Sequence, residues 1–229
     1  MLLFNADLLL DDPFAFTVLI VSVVVSLVIG ITVHEFAHAA AATMRGDLTA
    51  QRLGRLTLNP KAHLSPAGSI MLLLVGFGWG KPVPVDIFRL RGGRRALAFV
   101  SAAGPASNVM LALAFALLFQ IGLLSVDEIS RDALESLSVR AWASIAGSYA
   151  VQLNLILAVF NLLPVPPLDG GGILAGIAPQ GALPAVQKLQ KIGPMVLLAL
   201  ILSTYVTDLN ILGTILSPVR NLTDILIGV

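Results

Sequence analysis

Apolar residues fill this chain in long unbroken runs separated by short polar segments, not in the one-sided stripes of a soluble fold. From Phe14 to Val33 only Thr17, Ser22, Ser26, Gly30 and Thr32 interrupt the apolar sequence, and no breaker follows before Gly46. About 20 such residues cross the hydrocarbon of a bilayer, so the pattern predicts one long helix over 14–44. Further runs predict spans at 96–124, 141–163 and 192–207. The run from Pro66 to Gly78 has only thirteen residues. It is short for a span and reads as a re-entrant segment that dips into the membrane and returns.

The polar stretches suggest different elements. Residues 53–58 alternate weakly, like an edge strand ended by Asn59-Pro60, and Gly80-Lys81-Pro82-Val83-Pro84-Val85 is proline-stiffened and extended. Together they predict a small β-sheet or hairpin on the cytosolic side. Residues 126–140 are charged and amphipathic, a short surface helix. The segment 209–229, with Arg220 and Asp224 among leucines and isoleucines, reads as an amphipathic interfacial helix. The expected fold is an all-α polytopic membrane protein: four transmembrane helices, a re-entrant segment, the β-hairpin and the C-terminal helix. It forms one domain over 1–229 with its core at 14–207.

Charge sets an orientation. Segments 45–65, 79–95 and 178–191 carry 4, 5 and 2 of the 14 lysines and arginines. If 66–78 returns to the side it left, all three lie on one side, and positive residues mark the cytosol. The acidic groups Asp7, Asp11, Asp12, Asp127, Glu128, Asp132, Glu135 and Asp208 then fall opposite, which puts the N-terminus outside the cytoplasm of a multi-pass cell-membrane protein. The acidic start and the lack of a small-residue cleavage site argue against a signal peptide and for a permanent first span.

Composition agrees. Hydrophobic residues make up 57% and charged residues 12%, where soluble domains carry about 25% charged; mean hydropathy is +0.92. No basic run interleaved with aromatics appears, so nucleic acid is not an expected partner. Cysteine is absent, which excludes disulfides and thiolate chemistry and leaves histidine and carboxylate to hold any metal.

Candidate chemistry lies in Val33-His34-Glu35-Phe36-Ala37-His38. Histidines four apart share one helix face and can grip one ion, with the glutamate beside them to act on a metal-bound water. A carboxylate inside an apolar span is expensive, on the order of a few kcal/mol even on lenient scales, so it needs a partner. His34 lies eleven residues before Arg45, about 16 Å below that charge, which sets the site inside the membrane toward the cytosolic end. A catalytic zinc takes three protein ligands and an open position. Asp169 is the best third ligand, since it alone of the other carboxylates lies in apolar sequence, after a helix broken by Pro164, Pro166 and Pro167. A helix-capping role at a turn before Gly170 is the alternative. His63, in a loop with nothing evident to pin it, is the competing ligand and is assigned a structural or substrate-side role.

These residues carry a specific resemblance. His34-Glu35-Phe36-Ala37-His38 and Asn161-Leu162-Leu163-Pro164-Val165-Pro166-Pro167-Leu168-Asp169-Gly170, supported by Gly78-Trp79-Gly80-Lys81-Pro82-Val83-Pro84 and Ala103-Gly104-Pro105 with Asn108, look like the site-2 protease family of intramembrane zinc metalloproteases, in its short prokaryotic form without a PDZ domain. The resemblance implies one zinc on His34, His38 and Asp169, with Glu35 as acid/base. Two residues depart from the family pattern: Gly172 stands where many relatives have arginine, and Asp86 where asparagine is commoner.

The activity expected is hydrolysis of peptide bonds within or near the transmembrane helix of a protein substrate, in contact with the lipid bilayer. Asn108 and Asn161 are candidates to hold substrate backbone, with interhelical amide bonding as the equal alternative. A helical substrate must unwind to be cut, and a sheet edge at 47–60 or 80–90 is expected to receive it as an added strand. Two rival classes are a zinc-binding membrane scaffold without protease activity and a metal-ion transporter. Glu35 argues against the first, and polar groups clustered at one depth argue against the second.

Overall fold

The computed structural model describes residues 13–75, 78–126, 138–206 and 211–229. In chain order the helices are α1 (Pro13–Met44), α2 (Thr49–Arg52), α3 (Pro60–His63), α4 (Pro66–Val75), α5 (Gly93–Gln120), α6 (Val139–Asn161), α7 (Asp169–Ile177), α8 (Leu183–Val206) and α9 (Ile211–Ile227). Among the described residues four are long and apolar enough to cross a membrane: α1, α5, α6 and α8 with the 3-10 turn Gln180–Ala182 that leads into it. These are the predicted spans, except that α8 begins nine residues before the expected 192 and takes Lys188 and Lys191 into the helix.

Inside a bilayer every polar group needs a partner within the protein. Four hydroxyls of α1 find theirs locally: Thr17, Ser26, Thr32 and Thr43 each donate to the carbonyl four residues back at 2.6–2.8 Å. Small residues then allow close approach. Ser26 of α1 also reaches the Ala146 carbonyl of α6 at 3.4 Å, and the fully buried positions include Ala39, Ala42, Ala112, Ala141 and Val151. Helices α1, α5 and α6 pack on one another, and α7 lies against α5. The C-terminal helix α9 sets Val219 and Ile227 into a cluster with Ala112, Ala116, Phe119, Val151 and Leu155, and Gln120 donates to the Leu226 carbonyl at 2.8 Å.

The segment between α1 and α5 departs from expectation. Among the described residues there is no sheet, only an isolated bridge between Leu64 and Gly80. The predicted strand at 53–58 does not form. Helix α2 precedes it, Gly54 turns the chain with φ +69°, and Asn59 caps α3 by accepting from the Lys61 N–H at 3.1 Å with Pro60 at the first helical position. A weak alternation of two faces lost to local turn and cap chemistry. The predicted sheet edges at 47–60 and 80–90 therefore do not exist as such. The same segment is tied together by buried Asp47, which accepts from the Thr49 N–H at 3.0 Å, the Thr49 hydroxyl at 2.6 Å and the Asp86 N–H at 2.7 Å. The predicted surface helix at 126–140 and the acidic groups near the N-terminus and at Asp208 lie largely outside the described residues.

Candidate metal centre

Helical spacing puts His34 and His38 on one face of α1, both buried, with ring centroids 4.6 Å apart. Asp169 arrives from the far end of α6. That helix stops at Asn161, the chain reverses through Leu162–Leu168 with a cis Pro166–Pro167 peptide, and α7 begins at Asp169. The reversal is tight enough that a side chain on Gly170 would meet the Leu162 and Leu163 carbonyl oxygens at 2.3 Å. Arg94 at the start of α5 fastens the other end of α7. Its Nε and Nη2 donate to the Ala175 carbonyl at 3.0 and 2.8 Å, and Nη2 reaches Ala178 at 2.6 Å.

Three ligand atoms meet. His34 Nε2 lies 3.0 Å from Asp169 Oδ2, His38 Nε2 lies 3.2 Å from Asp169 Oδ1, and the two Nε2 atoms are 3.0 Å apart. What they can hold follows from the opposite side of each ring. His38 Nδ1 faces the Val100 carbonyl at 2.8 Å, which only accepts, so Nδ1 carries the proton. His34 Nδ1 faces Asn108 Oδ1 at 2.6 Å. The Asn108 amide is oriented by its other bonds: Nδ2 donates to the Gly30 carbonyl at 3.1 Å and to Asn154 Oδ1 at 2.8 Å. Asn154 in turn is oriented by donating to the Ala150 carbonyl at 2.8 Å. His34 Nδ1 is therefore also a donor, which leaves the Nε2 atom of each ring as the one that can ligate a metal at the centre.

The centre gathers the two Nε2 atoms and a carboxylate within 3.0–3.2 Å of one another, and buried Asp169 Oδ2 has no hydrogen-bond donor. In the form that binds a metal, two nitrogen lone pairs and a carboxylate at these distances repel one another unless a cation sits among them. Ligand atoms about 2.0–2.2 Å from a tetrahedral zinc stand roughly 3.3 Å apart, close to the 3.0–3.2 Å found here. The donor set fits zinc, and the ring N–H partners are the outer hydrogen bonds that fix ligand tautomers in such sites. His34, His38 and Asp169 are the metal-capable cluster found among the described residues.

Gly104 makes the approach of α5 possible. A side chain there would lie 2.4 Å from His38 Nε2 and 2.6 Å from His34 Nε2. Glu35, half-buried beside the pair, accepts the Val83 N–H at 3.1 Å through Oε2. The other candidates sit apart from the three ligand atoms. His63 is fully buried, not loose: its Nε2 donates to the Thr57 carbonyl at 2.7 Å. Asn108 is also fully buried, with its amide committed to His34, Gly30 and Asn154. Asn161 donates to the Leu157 carbonyl of its own helix at 2.9 Å. The two departures from the family pattern also have local settings. A Cβ at Gly172 would sit 2.2 Å from Ser101 Oγ, and Asp86 caps its own turn through the Phe88 N–H and Arg89 Nε, both at 3.0 Å. Sequence reading overlooked Asn154, although an amide in mid-span is itself the signal that could have found it.

The site agrees with what the chain resembles. The model of peptidase family M50 matches residues 122–204. The protein named "Putative zinc metalloprotease YwhC" of Bacillus subtilis is 40% identical over 198 residues, covering 86% of this chain and 85% of that protein. "Putative zinc metalloprotease Rip2" of Mycobacterium tuberculosis is 35% identical over 165 residues, 69% of this chain and 58% of that protein. No solved structure matches the chain. With four membrane-length helices and a zinc-compatible centre, the chain belongs to peptidase family M50, the site-2 protease family of zinc metalloproteases.

Proposed function

We propose that this membrane metalloprotease cuts peptide bonds within or near the transmembrane segments of membrane proteins, with His34, His38 and Asp169 holding its zinc and Glu35 moving the proton. The observation that carries the assignment is the meeting of the two Nε2 atoms and the Asp169 carboxylate at 3.0–3.2 Å. Zinc in that set supplies Lewis acidity toward water and the scissile carbonyl.

The residues divide the remaining work. Asn108 and the Val100 carbonyl keep the histidine protons on Nδ1, so both Nε2 atoms stay available. Glu35, next to the pair and outside the ligand set, takes a proton from the attacking water on a carboxylate oxygen and returns it to the leaving amine nitrogen. The amide of Asn108 is spent inside the protein, which favours a role in orienting His34 over one in binding substrate.

Location follows from the charge map. The ends of the 66–78 segment lie side by side at Leu64 and Gly80, which favours a re-entrant path and keeps the basic segments 45–65 and 79–95 on one face. We assign that face to the cytosol, with the N-terminus outside and the centre toward the cytosolic leaflet. Glu35→Gln tests the mechanism: the variant keeps one zinc per chain by metal analysis and loses cleavage in membranes. Cleavage at the wild-type rate would sink the assignment.

A further inference from the structure

The segment from Gly80 to Val85 lies against Glu35 and is fastened at one residue. Lys81 donates its N–H to the His63 carbonyl at 2.6 Å, and its own carbonyl accepts from Arg55 Nη2. Two residues on, the Val83 N–H meets Glu35 Oε2 at 3.1 Å. In an extended chain, residues two apart direct their backbone groups to the same edge. Lys81 and Val83 both precede a proline, which favours that extended form. Pro82 and Pro84 have no N–H, so Val83 is the one backbone donor between Lys81 and Val85. Arg55, His63 and Glu35 therefore grip a single edge of one strap, and Arg55 Nε is buried with no partner. The guanidinium bonds the strap at the Lys81 carbonyl through Nη2.

We propose that Arg55 is a positioning residue for the hydrolysis: by holding the Lys81 carbonyl it seats the Val83 N–H on Glu35 and sets the orientation of that carboxylate. The inference rests on the assignment of Glu35 as acid/base, and it needs Arg55 neither as a metal ligand nor as a substrate contact. Fully buried His63 serves the same edge of the strap, anchored at Thr57 and offering its carbonyl to Lys81.

The test uses the full-length, zinc-loaded protein in nanodiscs. Amide hydrogen exchange at Val83 is the first readout, and cleavage of a quenched peptide carrying one transmembrane segment is the second. Arg55→Met should speed Val83 exchange on the order of tenfold or more. It should lower kcat by about 10- to 100-fold, with KM and zinc content near wild type. Arg55→Lys keeps one donor and should recover most of both. Val83→Pro deletes the N–H without breaking the extended path. It should match the kcat loss of Arg55→Met, and the double variant should lose little more. If Arg55→Met leaves Val83 as protected as wild type, or if the double variant falls by the product of the single losses, Arg55 does not act through the strap. Fast Val83 exchange in Arg55→Met together with wild-type cleavage by Glu35→Gln would overturn the acid/base assignment, and with it the catalytic role of the strap.

Discussion

The metal centre and the polar segment just before α5 are built by opposite means. Around His34 and His38, three helices meet through small residues, and side chains donate across them to carbonyls and amides: Asn108 to Gly30 and to Asn154, His38 to Val100. Between Arg45 and Gly92, isolated polar side chains hold irregular backbone. Asp47 collects the Thr49 and Asp86 donors, Asn59 caps α3, and Arg55 takes the Lys81 carbonyl. A periodic apolar pattern specifies the first arrangement, since helices in lipid satisfy their own backbone and need only approach one another. Nothing periodic specifies the second, where one carboxylate can decide the path of several residues.

This contrast makes separable predictions. The largest effect is expected from Gly104→Ala, which puts a methyl group 2.4–2.6 Å from both histidine Nε2 atoms. Zinc should be lost from the purified protein, measured as zinc per chain, while the four helices persist by circular dichroism. Retention of full zinc would mean that α5 yields easily and that the close packing of the centre is not what shapes it.

Asn108→Ala comes next. It strips the acceptor from His34 Nδ1 and leaves the buried Asn154 carbonyl without its donor. Zinc affinity, read by chelator competition, should fall about 10- to 100-fold without loss of the fold.

The smallest effect on the metal is expected in the polar segment. Asp47→Asn places an amide N–H₂ or a mismatched oxygen against the Asp86 and Thr49 donors, and should cost about 1–3 kcal/mol of stability with zinc affinity unchanged. Burial raises the Asp47 carboxyl, but the hydrogen bonds from Thr49 and from the Asp86 N–H outweigh it and leave it below the ordinary carboxylate range. A lowered folded value means that the contribution is complete above the unfolded value of about 3.9. It is lost as pH falls through the folded value. The gap between wild type and Asp47→Asn in thermal unfolding should hold at neutral pH and shrink below about pH 4. A zinc-affinity loss in Asp47→Asn as large as that in Asn108→Ala would break the separation of the two regions.

Much of the helical fold was legible because length and apolarity are local properties: 14–44 became Pro13–Met44 and 141–163 became Val139–Asn161. The strand expected at 53–58 does not form because weak alternation over six residues cannot compete with a left-handed glycine inside it and a capped turn just after it. Within the centre, the histidine pair announced itself through its spacing, and Asp169 through its isolation in apolar sequence.

By itself the sequence determined the spans, the absence of thiolate chemistry and the histidine pair, since each follows from composition or from spacing along one helix, and it offered Asp169 as the best third ligand with His63 in competition. Only the tertiary structure decided that α7 packs against α5 and brings Asp169 within 3.0–3.2 Å of both rings. It also decided that Asn108 and Val100 fix the ring protons, and that the strap at Val83 reaches Glu35. Those contacts join residues 48 to 135 positions apart in the chain, where no local pattern carries information and packing alone chooses the partner.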